Sequence, residues 1–417
     1  MKFLLYKPSA YVKALLFVAL GFTLFFCKAF AAWDLGRGYP LVEEVSSDEI
    51  AAQGYTWDMV WDEDGVAYFG RDRLWRWDGT NWKAVGPLGL RLLRALAFDD
   101  EGRLWLGAFN EFGYYDPATD TYTSQVNLLP RVDRGFGEVW TIHHDDSATY
   151  VGTHRQLFVI RGESVKVWQF SGNHRIIFHF LLTGVYVHEA GRGLWNIRNG
   201  NKELINDSEL LASKSMVHLE QLPDGRLLGV SGEGVFHLTS DARNILFFFF
   251  FYDHIFTISS VTRINDNQIA IGTLGSGLHF VNNNGKVVLG YDASEDFGDK
   301  LILNLKLDSL GRLWVLENTG IWRVDLNLPI GLIDTRCDLH DGMVRNISLG
   351  PHEIGLALDN GFYTVKLEDN TKPSVIKHAR DESDFGEWIG DRFIFDSYNK
   401  LHDTISSRKE NLVEINS

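Results

Sequence analysis

The densest group of possible metal ligands in this sequence is the run His143-His144-Asp145-Asp146. Side chains alternate between the two faces of a strand, so the two imidazoles would point in opposite directions and could not readily share one ion. The two aspartates fall where the chain repeatedly places an acidic turn between two strands. The pattern therefore favours a hairpin turn over a metal site, and we expect neither a metal nor a cofactor.

Other acidic stretches also give little support for chemistry. Asp62–Gly65 and Asp99–Gly102 resemble calcium loops, but neither has the 12-residue spacing that ends in glutamate in an EF-hand. The sequence has no nucleophile elbow, zinc-protease helix motif or phosphate-binding loop. We therefore expect no enzyme. A glycosidase, which uses a pair of carboxylates, is neither supported nor excluded, because the sequence does not show whether two acids face each other across a glycosidic bond.

The acidic turns belong to a repeat of about 40 residues, which is the strongest signal in the chain. In the clearest copy, an apolar strand at Leu96–Phe98 leads through the turn to a second strand at Leu104–Gly107 and an aromatic third strand at Phe112–Asp116. Further copies follow the same order, with a weak last one at residues 392–401. They begin at Val60, Val139, Ile176, Met216, Val261, Leu303 and Val344.

A period near 40 with three or four short strands in each copy is typical of a propeller blade. One four-stranded sheet cannot bury both of its faces, whereas sheets arranged around an axis cover one another. We predict an all-β propeller of about seven to eight four-stranded antiparallel blades over residues 32–366. Residues 367–417 are expected to form an incomplete further blade or a polar C-terminal tail. The segment Tyr39–Val45 is expected to add an outer strand to the last blade and so close the ring.

The repeats resemble those of two-component regulator propellers, in which an acidic turn precedes the pattern L-W-x-G and an aromatic third strand. The matches at Asp99–Asp116 and Asp308–Asp325 are close. The first copy, Trp57–Trp82, together with Gly107–Tyr114 and Phe136–Trp140, resembles the N-terminal sensor propeller of triple-tyrosine-motif sensory and hybrid two-component proteins.

This resemblance covers about residues 39–366 and implies a domain that senses a ligand, often an oligosaccharide, outside the inner membrane. In that family a tyrosine-rich sandwich, a membrane helix and a signalling output module usually follow. This sequence ends at Ser417 without them. The sequence leaves open whether the chain acts alone or is part of a longer sensor.

The N-terminus has the features of an export signal. Lys2, Lys7 and Lys13 give it positive charge, and the uncharged run Ala14–Phe26 is too short to span a bilayer comfortably. The run Ala29–Ala31 offers a cleavage site. We predict a signal peptide at residues 1–31 and a periplasmic or extracellular location, with an uncleaved N-terminal anchor as the alternative.

In a propeller, residues just before the inner strands lie at one mouth of the central channel, where a ligand can bind. They are Trp57, Arg94, Glu138, Trp140, His174, Arg175, Lys300 and Arg345. An aromatic ring beside polar side chains suits a sugar, whose C–H face stacks on the ring while its hydroxyl groups form hydrogen bonds. We predict that these residues bind a ligand; ordinary loop residues are the alternative.

Other aromatic residues are predicted to serve packing. The run Phe247–Phe251 is expected to form a buried blade strand with rings on both faces, and would be an aggregation hazard if exposed. Four tryptophans occupy strand positions of the repeat and are expected between blades. They are Trp105, Trp195, Trp314 and Trp322.

The sequence thus predicts an extracytoplasmic ligand-sensing β-propeller of a two-component-type regulatory system, with a carbohydrate-like ligand. The alternatives are an exported propeller enzyme, such as a polysaccharide lyase or hydrolase, and a protein-interaction scaffold. The expected partners are a small-molecule or oligosaccharide ligand and a membrane-bound signalling protein or a second copy of the chain. A formal net charge of −15 disfavours nucleic acid, because an acidic surface repels phosphate.

Overall fold

The protein is described by a computed structural model. The structure describes residues 38–45, 54–87, 89–146, 148–171, 176–198, 200–213, 216–251, 257–291, 297, 301–328, 331–333, 337–340, 342–350, 353–366, 373–379, 386–389, 392–397, 400–405 and 413–415. The predicted export signal lies outside these residues. Strands of the described residues form nine four-stranded antiparallel sheets, so the all-β prediction is confirmed.

Helices are short in the described part of the chain. Helix α1 spans Glu209–Ser213, and two 3-10 turns span Val126–Leu128 and Arg131–Asp133. None of the helices seen in the described ranges has the length and apolar character needed to cross a membrane.

Seven of the sheets are arranged in a ring, and we call them blades 1 to 7 in chain order. Blade 1 contains β2 (Asp58–Trp61), β3 (Ala67–Gly70), β4 (Leu74–Trp77) and β5 (Trp82–Val85). Blade 2 contains β6 (Ala95–Phe98), β7 (Leu104–Ala108), β8 (Glu111–Asp116) and β9 (Thr121–Ser124). Blade 3 contains β10 (Val139–Asp145), β11 (Ala148–Thr153), β12 (Gln156–Arg161) and β13 (Ser164–Gln169). Blade 4 contains β14 (Ile177–Leu181), β15 (Gly184–Glu189), β16 (Gly193–Arg198) and β17 (Asn201–Asn206).

The remaining blades follow the same order. Blade 5 contains β18 (Met216–Gln221), β19 (Leu227–Ser231), β20 (Gly234–Leu238) and β21 (Ile245–Phe250). Blade 6 contains β22 (Ile258–Asn265), β23 (Gln268–Thr273), β24 (Leu278–Asn282) and β25 (Val287–Tyr291). Blade 7 contains β26 (Ile302–Leu307), β27 (Arg312–Glu317) and β28 (Ile321–Asp325), with β1 (Leu41–Glu44) as its fourth strand.

The first strands of the blades line the axis. Strand β2 packs on β6, β6 on β10, β14 on β18, β18 on β22 and β22 on β26. The ring closes between blades 7 and 1, where Asn304 donates a hydrogen bond of 3.0 Å to the carbonyl oxygen of Trp57 and Lys306 lies 2.8 Å from Asp58. These contacts place the start of every inner strand at one mouth of a central channel.

The N-terminal strand completes the ring. Strand β1 pairs antiparallel with β28, so that Val42 lies opposite Val324 and Glu44 opposite Trp322. The prediction that Tyr39–Val45 adds an outer strand to the last blade is therefore confirmed. Blade 7 combines both ends of the ring in one sheet, which holds it closed without a disulfide.

The acidic turns hold the tryptophans of the next strand. Oδ1 of Asp99 accepts backbone N–H groups of its own turn, and Oδ2 accepts the indole N–H of Trp105 at 2.9 Å. Asp308 binds the indole N–H of Trp314 in the same way, at 3.0 Å. Gly102 completes the first turn with a φ of +74°, which favours glycine. This shared geometry explains why the acidic residue, the glycine and the tryptophan recur together.

The core consists of separate apolar layers between neighbouring blades. Trp105 packs between blades 2 and 3, and the fully buried Trp314 packs against Met59 and Phe69 between blades 7 and 1. Trp195 and Trp322 are half-buried and pack against the layers between blades 3 and 4 and between blades 6 and 7. The predicted packing role of all four tryptophans is confirmed.

Two further sheets follow the ring. The first contains β29 (Val344–Leu349), β30 (Glu353–Leu358), β31 (Gly361–Lys366) and β32 (Ser374–Ala379). The second contains β33 (Gly386–Ile389), β34 (Arg392–Ser397), β35 (Lys400–Ile405) and β36 (Val413–Ile415). Strands β29 and β30 pack against β33, and the first sheet has its own buried layer around Tyr363. The repeat that begins at Val344 therefore lies outside the ring.

The prediction that the phenylalanine run is buried is wrong. Strand β21 is the outermost strand of blade 5, and Phe247 and Phe250 are 55% and 54% exposed. Blades diverge with distance from the axis, so neighbouring blades do not cover both faces of an outer strand. Phe251, directly after the strand, is buried.

Candidate functional site

Four of the residues predicted to bind a ligand lie together at the channel mouth, and we call Trp57, Arg94, Glu138 and Trp140 the mouth cluster. The Arg94 guanidinium carbon lies 3.9 Å from the centroid of the Trp57 ring and 4.5 Å from that of Trp140. The two indole rings have centroids 6.3 Å apart and an interplanar angle of 85°. Two aromatic rings therefore contact one cation, an arrangement that stabilises its position.

Glu138 fixes the guanidinium from a third side. Its Oε1 accepts a hydrogen bond of 2.8 Å from Nη2 of Arg94. The side chain of Arg94 is 12% exposed and that of Glu138 is 31% exposed. A charge-assisted hydrogen bond is strong when it is partly withdrawn from water, so the pair holds the cation while part of the carboxylate stays accessible.

Three adjacent blades supply the mouth cluster. Trp57 directly precedes β2, and its backbone N–H donates to the carbonyl oxygen of Gly70 at 2.9 Å. Arg94 directly precedes β6, and its N–H donates to Gly107 at 3.0 Å. Trp140 occupies the bulge at which the register of β10 against β11 shifts. A bulge changes the direction of a side chain relative to a regular strand, which lets this ring reach the guanidinium.

A buried arginine supports the segment that carries Trp57. Arg71 is fully buried and donates hydrogen bonds to the Thr56 hydroxyl and to the carbonyl oxygen of Gly54. Burial lowers the pKa of Arg71 to about 10, which leaves it charged at neutral pH. The sequence analysis missed Arg71. The available signal is a charged residue directly after the glycine that ends β3.

Two exposed aromatic side chains flank the mouth cluster, and sequence reasoning missed both. Tyr55 is 44% exposed, and its ring centroid lies 5.4 Å from that of Trp57. Phe109 is 62% exposed and pairs through a backbone bridge with Glu138. Tyr55 lies two residues before Trp57 and could have been included, whereas Phe109 lies between β7 and β8, where the repeat marks no site. The mouth therefore presents aromatic surface to solvent.

The other predicted ligand residues do not join the mouth cluster in the described structure. His174, Arg175 and Lys300 lie outside the described residues. Arg345 is exposed on β29, in the sheet that follows the ring. Its assignment to the channel mouth is corrected, because the ring closes at blade 7 and the next repeat starts a separate sheet.

Further along the channel, charged side chains on inner strands are paired. Arg263 donates a hydrogen bond of 2.7 Å from Nε to Glu220, and Nε2 of His218 lies 3.4 Å from the same carboxylate. Burial alone would raise the pKa of Glu220, but the neighbouring His218 and the hydrogen bonds from Arg263 outweigh it and lower the pKa. The carboxylate is therefore ionised at neutral pH and pairs with the guanidinium of Arg263.

The histidine and aspartate run forms the predicted turn. His143 stacks on Phe180 with ring centroids 4.3 Å apart, whereas His144 lies on the other face of β10. Oδ1 of Asp145 accepts the backbone N–H of Ala148 at 3.0 Å, which shapes the hairpin. Within the described part of the chain, no three His, Cys, Asp or Glu side chains are placed to hold a metal ion.

Comparison with known proteins finds similarity at the level of structure only. No protein-family model and no curated protein matches the chain. The extracellular domain of the hybrid two-component system BT4673 from B. thetaiotaomicron is similar with a TM-score of 0.56 and 16% identity, over 88% of this chain and 52% of that chain. This chain thus spans about half the length of that domain.

Other propellers are similar over a shorter part of the chain. A streptogramin B lyase has a TM-score of 0.56 and 15% identity, over 71% of this chain and 100% of that chain. The WD40 propeller domain of Doa1 has a TM-score of 0.54 and 15% identity, over 69% and 96% of the two chains. Such low identities establish the architecture alone: the chain has a β-propeller fold.

Proposed function

We propose that this chain is an extracytoplasmic ligand-sensing β-propeller of a two-component-type regulatory system, and that it binds a carbohydrate-like ligand at the mouth cluster. The observation that carries the proposal is the meeting of Trp57, Trp140 and the Arg94–Glu138 pair at one end of the channel. Three neighbouring blades converge on this point, so a ligand there would contact all three.

The chemistry of the mouth suits a sugar. The C–H face of a pyranose ring packs on aromatic side chains, and Tyr55 and Phe109 are exposed beside the cluster. Sugar hydroxyl groups can donate to the accessible carboxylate oxygen of Glu138 and accept from the guanidinium of Arg94. The indole N–H of Trp57 is buried and has no hydrogen-bond partner among the described residues.

The sensor role is supported by the fold of a neighbour. The extracellular domain of a hybrid two-component system shares this architecture, and the N-terminal sequence has the pattern of an export signal. The partner would be a membrane-bound signalling protein or a second copy of the chain. We expect recovery in the periplasmic fraction with Ala32 as the first residue, checked by mass spectrometry of the N-terminal peptide.

Binding is tested by comparing Arg94→Ala and Trp140→Ala with the wild type on a glycan array, followed by titration calorimetry with the strongest hit. We expect each variant to weaken binding by about 10- to 100-fold, because aromatic and arginine side chains at the centre of a binding site contribute most of the affinity. The same glycan is incubated with the wild type and analysed by mass spectrometry. Unchanged glycan is expected; cleaved or unsaturated products would favour the lyase or hydrolase alternative instead.

Arg103→Ala is the matched control. Arg103 also makes an ion pair of 2.8 Å, with Asp99, and contacts an aromatic ring at 4.4 Å, that of Tyr114. It lies in the turn after β6, whereas Arg94 lies before that strand, so the two arginines are at opposite ends of the channel. Equal losses in Arg94→Ala and Arg103→Ala, or wild-type affinity in both mouth variants, would contradict the proposal.

A further inference from the structure

A second concave surface lies at the other end of the ring, between blades 5 and 6. We call it the edge groove, and its volume is about 490 Å³, within the range of ligand pockets. It is bounded by strand β21, the turn after β18 and two turns of blade 6. Its lining residues are Arg226, His237, Phe247, Phe249, Asn267, Asn282, Asn283 and Asn284. The turns that follow inner strands lie opposite their starts, so this groove is remote from the mouth cluster.

One wall of the edge groove is aromatic. The rings of Phe247 and Phe249 have centroids 6.4 Å apart and an interplanar angle of 25°, so the two rings are nearly parallel and side by side on one face of β21. Phe247 is 55% exposed. The turn of blade 6 packs against the base of this wall, where Gly285 leaves room for Phe249. The strand and the turn therefore form a groove with a rigid apolar side.

The opposite wall consists of asparagines from blade 6, and His237 lies at the base of the aromatic wall, opposite Phe247 in the pairing of β20 with β21 and 5.9 Å from Phe249 between ring centroids. Nε2 of His237 lies 2.9 Å from the carbonyl oxygen of Asn283, and the Asn283 amide nitrogen donates to the carbonyl oxygen of Asp266 at 2.7 Å. Nδ1 of His237 and Oδ1 of Asn283 have no hydrogen-bond partner among the described residues. His237 is 4% exposed. Buried polar atoms are nearly always paired, so these two atoms indicate a missing partner in the groove.

The charge of the edge groove is neutralised locally. Arg226 is the one lining residue with a permanent charge. Its Nε donates to Asp224 at 2.7 Å and its Nη2 lies 2.6 Å from the same carboxylate. An anionic ligand would therefore meet a cation that is already paired. Amide groups opposite an aromatic surface, with a histidine at the base of that surface, instead suit an uncharged ligand rich in hydroxyl groups.

We propose that the edge groove is a second binding site, which takes one or more neutral glycosyl units of a polysaccharide. The sugar ring packs on Phe247 and Phe249, and its hydroxyl groups reach His237 and Asn283. The site is separate from the mouth cluster. A long polymer could thus be held at the periphery while the mouth binds another part of it.

The test uses affinity gel electrophoresis of the Arg94→Ala chain, in which binding at the mouth is weakened, and compares variants of the groove within that background. The probes are four soluble neutral polysaccharides: galactomannan, mixed-linkage glucan, arabinogalactan and xylan. We expect at least one of them to retard the chain, and the added substitution Phe247→Ala to weaken that binding at least tenfold. Phe250→Ala is the matched control, because Phe250 lies on the same strand with 54% exposure and does not line the groove.

Each outcome separates the edge groove from the mouth. Retention that Phe247→Ala removes and Phe250→Ala preserves supports the groove. No retention of the Arg94→Ala chain by any of the four polysaccharides overturns it, even if the wild type binds a glycan through its mouth. Equal weakening by both phenylalanine variants, with thermal midpoints equal to that of the parent chain, also overturns it. If no polysaccharide retards the chain and Phe247→Ala converts a dimer to a monomer, β21 serves self-association, and the proposal of a glycan site is overturned.

Discussion

At the scale of single residues, the turn aspartates stabilise the blades by accepting several hydrogen bonds at once. Asp99 binds the indole N–H of Trp105 and Nε of Arg103 through one oxygen, and backbone N–H groups through the other. Its side chain is 1% exposed. A buried carboxylate with these donors connects the turn, the second strand and the layer between blades 2 and 3.

Replacing this carboxylate is expected to be costly. Asp99→Ala leaves the indole and guanidinium donors without their acceptor, so the free energy of unfolding should fall by about 2–4 kcal/mol. The measurement is urea denaturation followed by tryptophan fluorescence. Asp100→Ala is the control, because the neighbouring side chain is 72% exposed and should change stability by less than about 1 kcal/mol. A similar loss in both variants would contradict the structural role of Asp99.

The same carboxylate makes stability depend on pH. Burial alone would raise the pKa of Asp99, but the hydrogen bonds from Trp105 and Arg103 outweigh it and lower the pKa. The unfolded chain then binds a proton at higher pH than the folded chain. The stabilisation is therefore present above the unfolded pKa of about 4 and is lost as the pH falls through the folded value. The difference in free energy of unfolding between wild type and Asp99→Asn should therefore shrink from pH 7 to pH 3. A difference that stays constant would contradict the stabilising role of the ionised carboxylate.

The mouth cluster was predictable because the repeat marks where inner strands begin. Trp57, Arg94 and Trp140 all lie at or next to such a start, so one rule found residues from three blades. The pairing of Arg94 with Glu138 was not predictable, because it depends on how far two blades rotate around the axis. Phe109 was not predicted for a similar reason. It lies in a turn of blade 2, and only the folded ring brings that turn beside Glu138.

At the scale of elements, one short strand decides whether the ring closes. Strand β1 supplies the fourth strand of blade 7, and Val42 packs on the apolar layer between blades 6 and 7. Tyr39 adds a ring contact with Tyr291, with centroids 5.5 Å apart, and exchanges backbone hydrogen bonds with Leu332. The strand is therefore fixed by packing as well as by its pairing with β28.

A charge on the inward side of β1 should weaken closure. Val42→Asp places a carboxylate against the apolar layer and is expected to lower the free energy of unfolding by about 2–4 kcal/mol. The measurement is denaturation in urea. Glu43→Ala is the matched control, because that side chain is 60% exposed and forms a surface ion pair with Arg323 worth at most about 1 kcal/mol. Equal stability of both variants would show that β1 does not hold the ring.

The outer strands show where sequence reasoning about elements fails. The continuous run Phe247–Phe251 predicts a strand, and β21 is one, but the run does not show how far that strand lies from the axis. Inner and middle strands are covered by the neighbouring blades on both faces, whereas Phe247 and Phe250 on an outer strand remain exposed. The distance of a strand from the axis follows from its position in the sheet. The sequence copies show three strands each, so they do not identify the fourth, outermost strand, which the structure shows.

At the scale of the whole molecule, the number of repeats does not fix the number of blades. The sequence predicts seven to eight blades because each copy looks alike locally. Closure at seven depends on long-range contacts that no repeat contains, among them the pairing of β1 with β28 and the hydrogen bond from Asn304 to Trp57. Fold class could thus be predicted from local periodicity, whereas the closure point could not.

The closed ring and the sheets after it should unfold as separate units. Trp314 is fully buried between blades 7 and 1, and Tyr363 is fully buried in the layer of the sheet that begins with β29. Because these layers share no residue, Trp314→Ala should destabilise the ring by about 3–5 kcal/mol and leave the other transition in place. Tyr363→Ala should do the reverse. Scanning calorimetry of both variants checks this: each substitution is expected to shift a different transition, and a joint shift of one single transition would mean that all nine sheets form one cooperative unit.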